Sequence, residues 1–334
     1  MPLAYSGILE EALVVRQAAG LFDLSHLGQI EVSGPGAAFF LQRMLTRDLS
    51  RLPVGKAAYA LMCNEHGGIM DDLLAYRMLD RYLLVVNAAT ARKDFDWLRW
   101  RSPREAQVTD VSDRTSLLAL QGPASASILK PLSSIDPSGL ARRGWARGEV
   151  AGQPALIART GYTGEDGFEL MVAPERAERV WDTVLSAGRP VGLKPCGLGA
   201  RDILRLEAGF LLYGEDIDEH TNPLEADLER FVDFSKAFVG REALLRVRSQ
   251  GPRRRLVGLE LQVQAIPRGG CPLLLGGKPV GEVTSGAYSP TLKRGIGLGY
   301  VESACATPGT GLDVLIRARP RPARVVRIPF VKSA

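Results

Sequence analysis

The sequence has few of the side chains from which metal centres and disulfide frameworks are built. Its 334 residues include 4 cysteines and 3 histidines. They are scattered, and no two cysteines form a CxxC pair: Cys63, Cys196, Cys271, Cys305, His26, His66 and His220. Zinc sites and disulfide frameworks repeat such residues at short spacings. We therefore expect no metal, and a reducing compartment.

Long hydrophobic runs are also missing. Runs such as LLVV at 83–86 and LLL at 273–275 are far shorter than the roughly 20 residues of a membrane-spanning helix. The opening residues MPLAYSGILEE lack the basic and apolar segments of a secretory signal. With 46% hydrophobic and 24% charged residues, the composition is typical of a globular protein. We expect it to be cytoplasmic.

Acidic residues do not balance the basic ones. The formal net charge is +5, and much of the excess lies at 252–255 and in RARPRPARVVR at 317–327. Neither segment carries interleaved aromatic residues or a known nucleic-acid motif. A basic surface of this kind is either a solvated face, the commonest case, or a contact for an acidic protein partner or a polyanionic substrate, and we expect no nucleic acid.

Three stretches contain the candidate functional residues, and the first is ARTGYTGEDGFEL at 158–170. Gly161 and Gly164 indicate tight turns, because glycine adopts positive φ without steric cost. Glu169 alternates with Phe168 and Leu170, which predicts the start of a strand. The stretch is either a solvated acidic hairpin or a rigid loop that holds carboxylates in place.

The second stretch is a predicted hairpin, KAAYALMCN at 56–64 followed by IMDDLLAY at 69–76. Adjacent Asp71 and Asp72 should point to opposite faces of the return strand. A carboxylate within an apolar strand needs a partner or a task. The alternative is that both aspartates cap a bulge or the turn.

The third stretch is KPCGLGARDILRLEA at 194–208, where Arg201 lies in the first turn of a predicted helix. A cation there opposes the helix dipole, so we expect Arg201 to have a specific partner. Gly197 and Gly199 could cradle an anion at the helix N-terminus, but GLGAR is neither a Walker motif nor GxGxxG. Beyond 251–255, short strands separated by glycine and proline predict a small barrel or sandwich.

Taken together, these stretches resemble the T-protein of the glycine cleavage system, the tetrahydrofolate-dependent aminomethyltransferase family. Nine segments match in order: GLFDLSHLGQIEVSG (20–34), CNEHGGIMDDLLAY (63–76), LLVVNAA (83–89), LALQGP (118–123), ARTGYTGEDGFEL (158–170), LKPCGLGARDILRLEAGFLLYG (193–214), TNPLEADL (221–228), KAFVGREAL (236–244) and EVTSGAYSPTL (282–292). The resemblance implies an α+β fold, a three-domain cloverleaf around a central folate cavity. Residues 1–248 would form two intertwined α+β domains, and residues 252–331 a C-terminal β-barrel domain.

The same resemblance implies the reaction and its residues. The aminomethyl carbon carried by lipoylated H-protein would pass to tetrahydrofolate, with release of ammonia and without a metal. The catalytic carboxylate would be Asp72. The folate-binding and cavity-lining residues would be Tyr59, Asn87, Tyr162, Glu169 and Arg201.

The chemistry of these residues agrees with that assignment. A carboxylate such as Glu169 can accept two parallel N–H donors from a pterin edge. Asp72 could orient the attacking folate nitrogen, take up its proton or stabilise a developing iminium ion. The sequence leaves these three roles open.

The chain departs from the family at both ends. It begins with only MPLAY of a longer N-terminal segment, which implies a misplaced start or a missing first element. It ends without the C-terminal tyrosines that some members have. Two rivals share the fold: a folate-dependent demethylase acting on dimethylsulfoniopropionate or an N-methylglycine, and a non-catalytic folate-binding protein of iron–sulfur cluster maintenance.

Overall fold

A computed structural model describes residues 1–332, so Ser333 and Ala334 of the C-terminal stretch lie outside it. The α-helices are α1 Ile8–Gln17, α2 Ala37–Met44, α3 Ala91–Arg101, α4 Ser125–Leu129, α5 Pro174–Gly188, α6 Leu198–Glu207 and α7 Arg241–Gln250. The strands are β1 Gly20–Asp23, β2 Gly28–Ser33, β3 Lys56–Cys63, β4 Ile69–Arg77, β5 Arg81–Val86, β6 Gln107–Asp110, β7 Ser116–Gln121, β8 Trp145–Val150, β9 Gln153–Ala158, β10 Gly167–Val172, β11 Lys194–Pro195, β12 Arg254–Leu261, β13 Pro272–Leu275, β14 Lys278–Ser289, β15 Arg294–Glu302, β16 Gly311–Ile316 and β17 Arg319–Val326. No helix within residues 1–332 is long and apolar enough to cross a membrane.

The first sheet is five-stranded and antiparallel, in the order β3-β4-β5-β2-β6. The predicted hairpin β3–β4 forms because the Asn64 side chain accepts hydrogen bonds from the main-chain N–H groups of His66 and Gly68, at 3.0 and 2.9 Å. Gly67 takes a φ of +84° in the turn, where other residues would be strained. The apolar sides of α2 and α3 cover one face of this sheet.

The second sheet is six-stranded, in the order β11-β1-β7-β10-β9-β8. Only the short β1–β11 pair is parallel. Every residue of β10 is buried, because helices α4 and α5 cover one face of the sheet and the central core covers the other. The middle of β10 is therefore a place where a charged side chain requires specific partners.

Six strands close into a barrel, in the order β12-β15-β14-β13-β16-β17. Closure pairs every strand edge within the barrel. The predicted α+β architecture with a C-terminal β-barrel is confirmed, and between a barrel and a sandwich the structure decides for the barrel.

The two sheets and the barrel meet at α6. One apolar cluster contains Phe22 of the second sheet, Tyr76 of the first, Leu204 of α6 and Leu298 of the barrel. Polar contacts join the same parts, since Arg205 of α6 donates to the Ser285 hydroxyl of β14 at 2.8 Å. Helix α6 therefore positions residues of one sheet relative to those of the other.

Candidate functional site

The side chain of Gln121 holds the glycine-rich loop before β10 in place by hydrogen bonds. Gln121 is 1% exposed; its Nε2 donates to the main-chain oxygen of Thr160 and its Oε1 accepts from the Thr163 hydroxyl, each at 3.0 Å. A Cβ on Gly161 would lie 1.9 Å from the Gln121 Oε1, so a larger residue there would displace the Gln121 amide from these hydrogen bonds. The loop is thus rigid and not a solvated hairpin, which decides one alternative left open by the sequence.

Glu169 lies in the middle of β10, opposite Ala119 and Ala158 of the flanking strands. It is 5% exposed. Its Oε2 accepts hydrogen bonds from the hydroxyls of Tyr76, at 3.2 Å, and Thr160. Small neighbours and two donors on one oxygen hold the carboxylate in a fixed orientation.

Asp72 lies on β4, two residues after a bulge at which Met62 pairs with Asp71 and Cys63 pairs with Ile69. Its Oδ2 accepts from the Tyr59 hydroxyl at 3.0 Å and its Oδ1 from the Asn87 Nδ2 at 2.9 Å. Burial, together with the charge of Asp71, raises the pKa of Asp72 to about 7, against the opposing effect of those hydrogen bonds. Asp72 can therefore gain or lose a proton near neutral pH.

Asp71 and Asp72 share one partner although they alternate along the strand. Asp71 is 0% exposed, whereas Asp72 is partly accessible, as expected for opposite faces. The Asn87 Nδ2 nevertheless donates to Asp71 Oδ1 at 2.8 Å as well as to Asp72. The β4–β5 ladder ends at Leu74 and Val85, and its continued register puts Asn87 opposite Asp72, where a side-chain amide replaces the next ladder bond.

The Arg201 guanidinium lies over the ring of Tyr162. The Arg201 guanidinium carbon lies 4.6 Å from the centre of the Tyr162 ring, a cation–π distance. Tyr162 donates its hydroxyl to the main-chain oxygen of Leu211 and stacks on Phe210 at 5.7 Å. Within residues 1–332 Arg201 forms no ion pair, so its predicted specific partner is this aromatic ring.

The N-terminus of α6 is occupied by the chain itself. Glu11 Oε2 accepts from the Gly197 main-chain N–H at 2.8 Å, and Glu11 Oε1 accepts from that of Tyr5 at 2.6 Å. Gly199 donates its N–H to the main-chain oxygen of Leu3 at 2.9 Å. The weak prediction of an anion cradle at Gly197 and Gly199 is therefore wrong, because an internal carboxylate already fills it.

The charges of the predicted residues act on one another. Burial raises the pKa of the Tyr162 hydroxyl, and the charge of Asp72 raises it further. Burial lowers the pKa of Arg201, and the charge of Glu169 opposes that change. Asp72 of β4 is thus near enough for its charge to act on Tyr162, and Glu169 of β10 near enough for its charge to act on Arg201 of α6.

The predicted site residues lie deep in the protein but are not closed off from solvent. Tyr59, Asp72, Tyr162 and Arg201 are surrounded by protein, yet each keeps some accessible surface. Two clefts elsewhere, of about 370 and 340 Å³, do not include them. The first is lined by Arg81, Arg114 and Arg147 among others, and the second lies between the barrel and residues 224–227. No group of three or more possible metal ligands occurs within residues 1–332.

Sequence reasoning missed the residues that hold the carboxylates. Tyr76 could have been found, because it lies four residues after Asp72 on the same strand and so faces the same side. Thr160 offered no such pattern, since it acts through a contact with Glu169 on strand β10.

Comparison with known proteins gives matches over the whole chain. The family model of the GCVT N-terminal domain matches residues 1–236, and that of the glycine cleavage T-protein C-terminal barrel domain matches residues 254–332. An aminomethyltransferase of Halothermothrix orenii is 48% identical over 333 residues, covering 99% of this chain and 93% of the relative. An aminomethyltransferase of Streptomyces avermitilis is 49% identical over 340 residues, covering 99% of this chain and 91% of the relative.

A solved structure matches as well. The glycine cleavage system aminomethyltransferase T from Bartonella henselae superposes with a TM-score of 0.93 at 37% sequence identity. The match covers 99% of this chain and 92% of that one. Sequence and fold therefore point to the same family.

Proposed function

Since the chain belongs to the glycine cleavage T-protein family, and is an aminomethyltransferase of glycine cleavage, we propose that its acceptor is tetrahydrofolate and its donor the lipoylated H-protein. The enzyme passes the aminomethyl carbon to the folate and releases ammonia. The observation that carries this proposal is the placement of Arg201 over the Tyr162 ring, with Asp72 near enough for its charge to act on Tyr162 and Glu169 near enough for its charge to act on Arg201.

Glu169 binds the pterin end of the folate. A carboxylate has about four acceptor positions. The hydroxyls of Tyr76 and Thr160 both donate to Oε2, which leaves Oε1 for the N–H donors of a ligand. Because Tyr76 and Thr160 already fix the carboxylate, little freedom is lost when the ligand binds.

Asp72 acts on the reacting nitrogen. Its pKa of about 7 suits a group that takes up or returns a proton at neutral pH. Its carboxylate is held from both sides by Tyr59 and Asn87, so it can also orient the folate nitrogen or stabilise a developing cation. The cation–π contact holds Arg201 against Tyr162, where its guanidinium is available to an anionic group of the substrate.

The surface beside Tyr59 is basic. Phe231 packs edge-on against Tyr59, with ring centres 4.6 Å apart. The guanidinium carbons of Arg230 and Arg47 lie 4.8 and 6.0 Å from the centre of the Phe231 ring. Two cations thus lie one aromatic ring away from the tyrosine that binds Asp72.

Two further arginines complete this surface, which we call the arginine cluster: Arg47, Arg142, Arg143 and Arg230. Burial lowers the pKa of Arg143, and the charges of the other three lower it further. None of the four forms an ion pair with a carboxylate of residues 1–332. The uncompensated positive charge of the arginine cluster favours an acidic partner, and we assign the cluster to docking of the lipoylated H-protein.

The alternative of a non-catalytic folate-binding protein has less support than aminomethyl transfer. In the folate-binding proteins of iron–sulfur cluster maintenance a reactive cysteine is expected near position 196. Cys196 is 2% exposed, and burial raises the pKa of its thiol to about 12, which disfavours the reactive thiolate.

We place the protein in the cytoplasm and divide it into residues 1–248 and the barrel domain 252–331.

The deciding experiment measures 5,10-methylenetetrahydrofolate formed from tetrahydrofolate and aminomethylated H-protein. We expect turnover by the wild type and none above background by Asp72→Ala, with folate binding retained. An Asp72→Asn variant with full turnover would contradict the role of Asp72. Turnover of dimethylsulfoniopropionate or an N-methylglycine, with none of the aminomethylated carrier, would favour the demethylase.

A further inference from the structure

Two buried carboxyl groups lie behind the candidate site. Asp71 on β4 and Asp94 in the first turn of α3 are each 0% exposed. The main-chain N–H of Asp94 donates to the oxygen of Thr90 at 2.8 Å, which fixes the helix start. None of the roles proposed above for the site residues involves Asp94.

The carboxyl group of Asp94 has no ordinary donor. No donor within residues 1–332 reaches either carboxyl oxygen in hydrogen-bonding geometry. The group lies against the carboxyl of Asp71 and the hydroxyl of Thr90. That hydroxyl donates to the main-chain oxygen of Asn87 at 3.2 Å, so the neighbour left for Asp94 is Asp71.

Two carboxylates in contact cannot both be ionised in a buried site. Burial, and then the contact with Asp71, raises the pKa of Asp94 to about 10. The nearby cation, Lys93, opposes the rise, but its Nζ donates to Met70, Tyr213 and Glu219, each at 2.8 Å. Asp94 is therefore a neutral acid at pH 7, with one O–H to donate.

Asp71 in turn holds Asn87 by two hydrogen bonds. Asp71 Oδ2 accepts from the Asn87 main-chain N–H at 3.1 Å and Oδ1 from Asn87 Nδ2 at 2.8 Å. The same Nδ2 donates to Asp72 at 2.9 Å. The amide therefore bridges a buried carboxylate and the candidate catalytic one, and its position depends on where Asp71 is held.

We propose that Asp94 is a positioning residue for aminomethyl transfer: its protonated carboxyl group donates to Asp71, which holds the Asn87 amide and through it Asp72. This inference rests on the role proposed for Asp72. The proton stays on Asp94 throughout, and no bond to substrate is made or broken there.

The kinetic test compares two replacements in the full-length enzyme. Asp94→Asn keeps the shape and supplies an N–H donor, so kcat and its pH profile should stay within about threefold of wild type. Asp94→Leu fills the space without a donor, so kcat should fall by roughly 10- to 100-fold, as for small misplacements of catalytic groups. The KM for tetrahydrofolate should change little in both.

The pH profile separates positioning from a purely structural role. The hydrogen bond from Asn87 lowers the pKa of Asp72, so loosening it in Asp94→Leu should move the acidic limb of the kcat profile to higher pH. Other titratable groups around the pair are Lys93 and Tyr213, whose mutual hydrogen bond involves neither Asp71 nor Asp94. The matched control is Asp96→Leu, two residues along α3, whose exposed carboxylate pairs with Arg92 and whose loss should leave kcat and profile unchanged.

A second measurement does not depend on activity. Infrared difference spectra of the wild type and Asp94→Asn at pH 7 should show the C=O stretch of one protonated carboxylic acid, lost in the variant. Absence of that band, equal loss of kcat in Asp94→Asn and Asp94→Leu, or wild-type kcat in Asp94→Leu would each overturn the proposal. A fully active Asp72→Asn, with the band present, would instead show that the role of Asp72 is wrong.

Discussion

Arg205 of α6 has one buried and one exposed carboxylate partner, which allows the buried contact between α6 and the barrel to be measured against an internal control. The guanidinium pairs with Asp216, which is 1% exposed, and with Asp202, whose side chain is 49% exposed. Asp216 also accepts from the main-chain N–H of Leu212 at 2.9 Å and from the hydroxyl of Thr284 on β14. Although burial alone would lower the pKa of Arg205, the charge of Asp216 raises it.

We predict that Asp216→Asn destabilises the protein far more than Asp202→Asn. Removing one partner of a buried ion pair leaves an uncompensated charge and costs about 3–5 kcal/mol. Removing an exposed partner costs about 0–1 kcal/mol, since water solvates the freed cation. The same arginine is left in both variants, so the difference reports on burial.

Urea unfolding followed by circular dichroism gives the two free energies. Trypsin digestion in native buffer tests where the damage lies, because loosening the barrel from α6 should make the largely exposed 251–253 segment more mobile and speed cleavage after Arg253. Losses within 1 kcal/mol of each other, or faster cleavage in Asp202→Asn, would refute the reasoning.

Three further predictions concern the candidate site and the arginine cluster. Glu169→Gln should raise the Kd for tetrahydrofolate roughly 10- to 100-fold in titration calorimetry, because a charge-assisted hydrogen bond contributes about 1.5–3 kcal/mol; an unchanged Kd would remove Glu169 from the folate site. In Asp72→Asn the free energy of unfolding should exceed that of the wild type at pH 8 and match it near pH 4. The raised folded-state pKa of the Asp72 carboxyl makes the wild type less stable as the pH rises from the pKa of that group in the unfolded chain through about 7. A difference between the two proteins that widens toward low pH would show that the pKa of Asp72 is shifted in the other direction. Arg143→Gln should raise the KM for aminomethylated H-protein about 10-fold at low salt, with the effect fading at high salt, while Arg319→Gln on the barrel should not; an equal effect of both would mean that the arginine cluster is not the docking surface.

The local structures around the site followed from patterns in the sequence. Alternation and the glycine turn predicted the β3–β4 hairpin with Asp72 on its return strand. Two glycines predicted the tight loop before β10, and short strands after residue 251 predicted a small β-domain. These features depend on neighbours in sequence, so local propensity and periodicity suffice to find them.

The tertiary structure alone decided which side chains meet. Arg201 was expected to have a specific partner, and that partner is the ring of Tyr162, 39 positions earlier in the numbering. Glycines at the start of α6 allowed an anion site, but Glu11, distant along the chain, fills it. A pKa near 7 for Asp72 and a protonated Asp94 arise from burial and from contact between elements. Sequence spacing encodes neither, because desolvation depends on what the rest of the chain packs around a group.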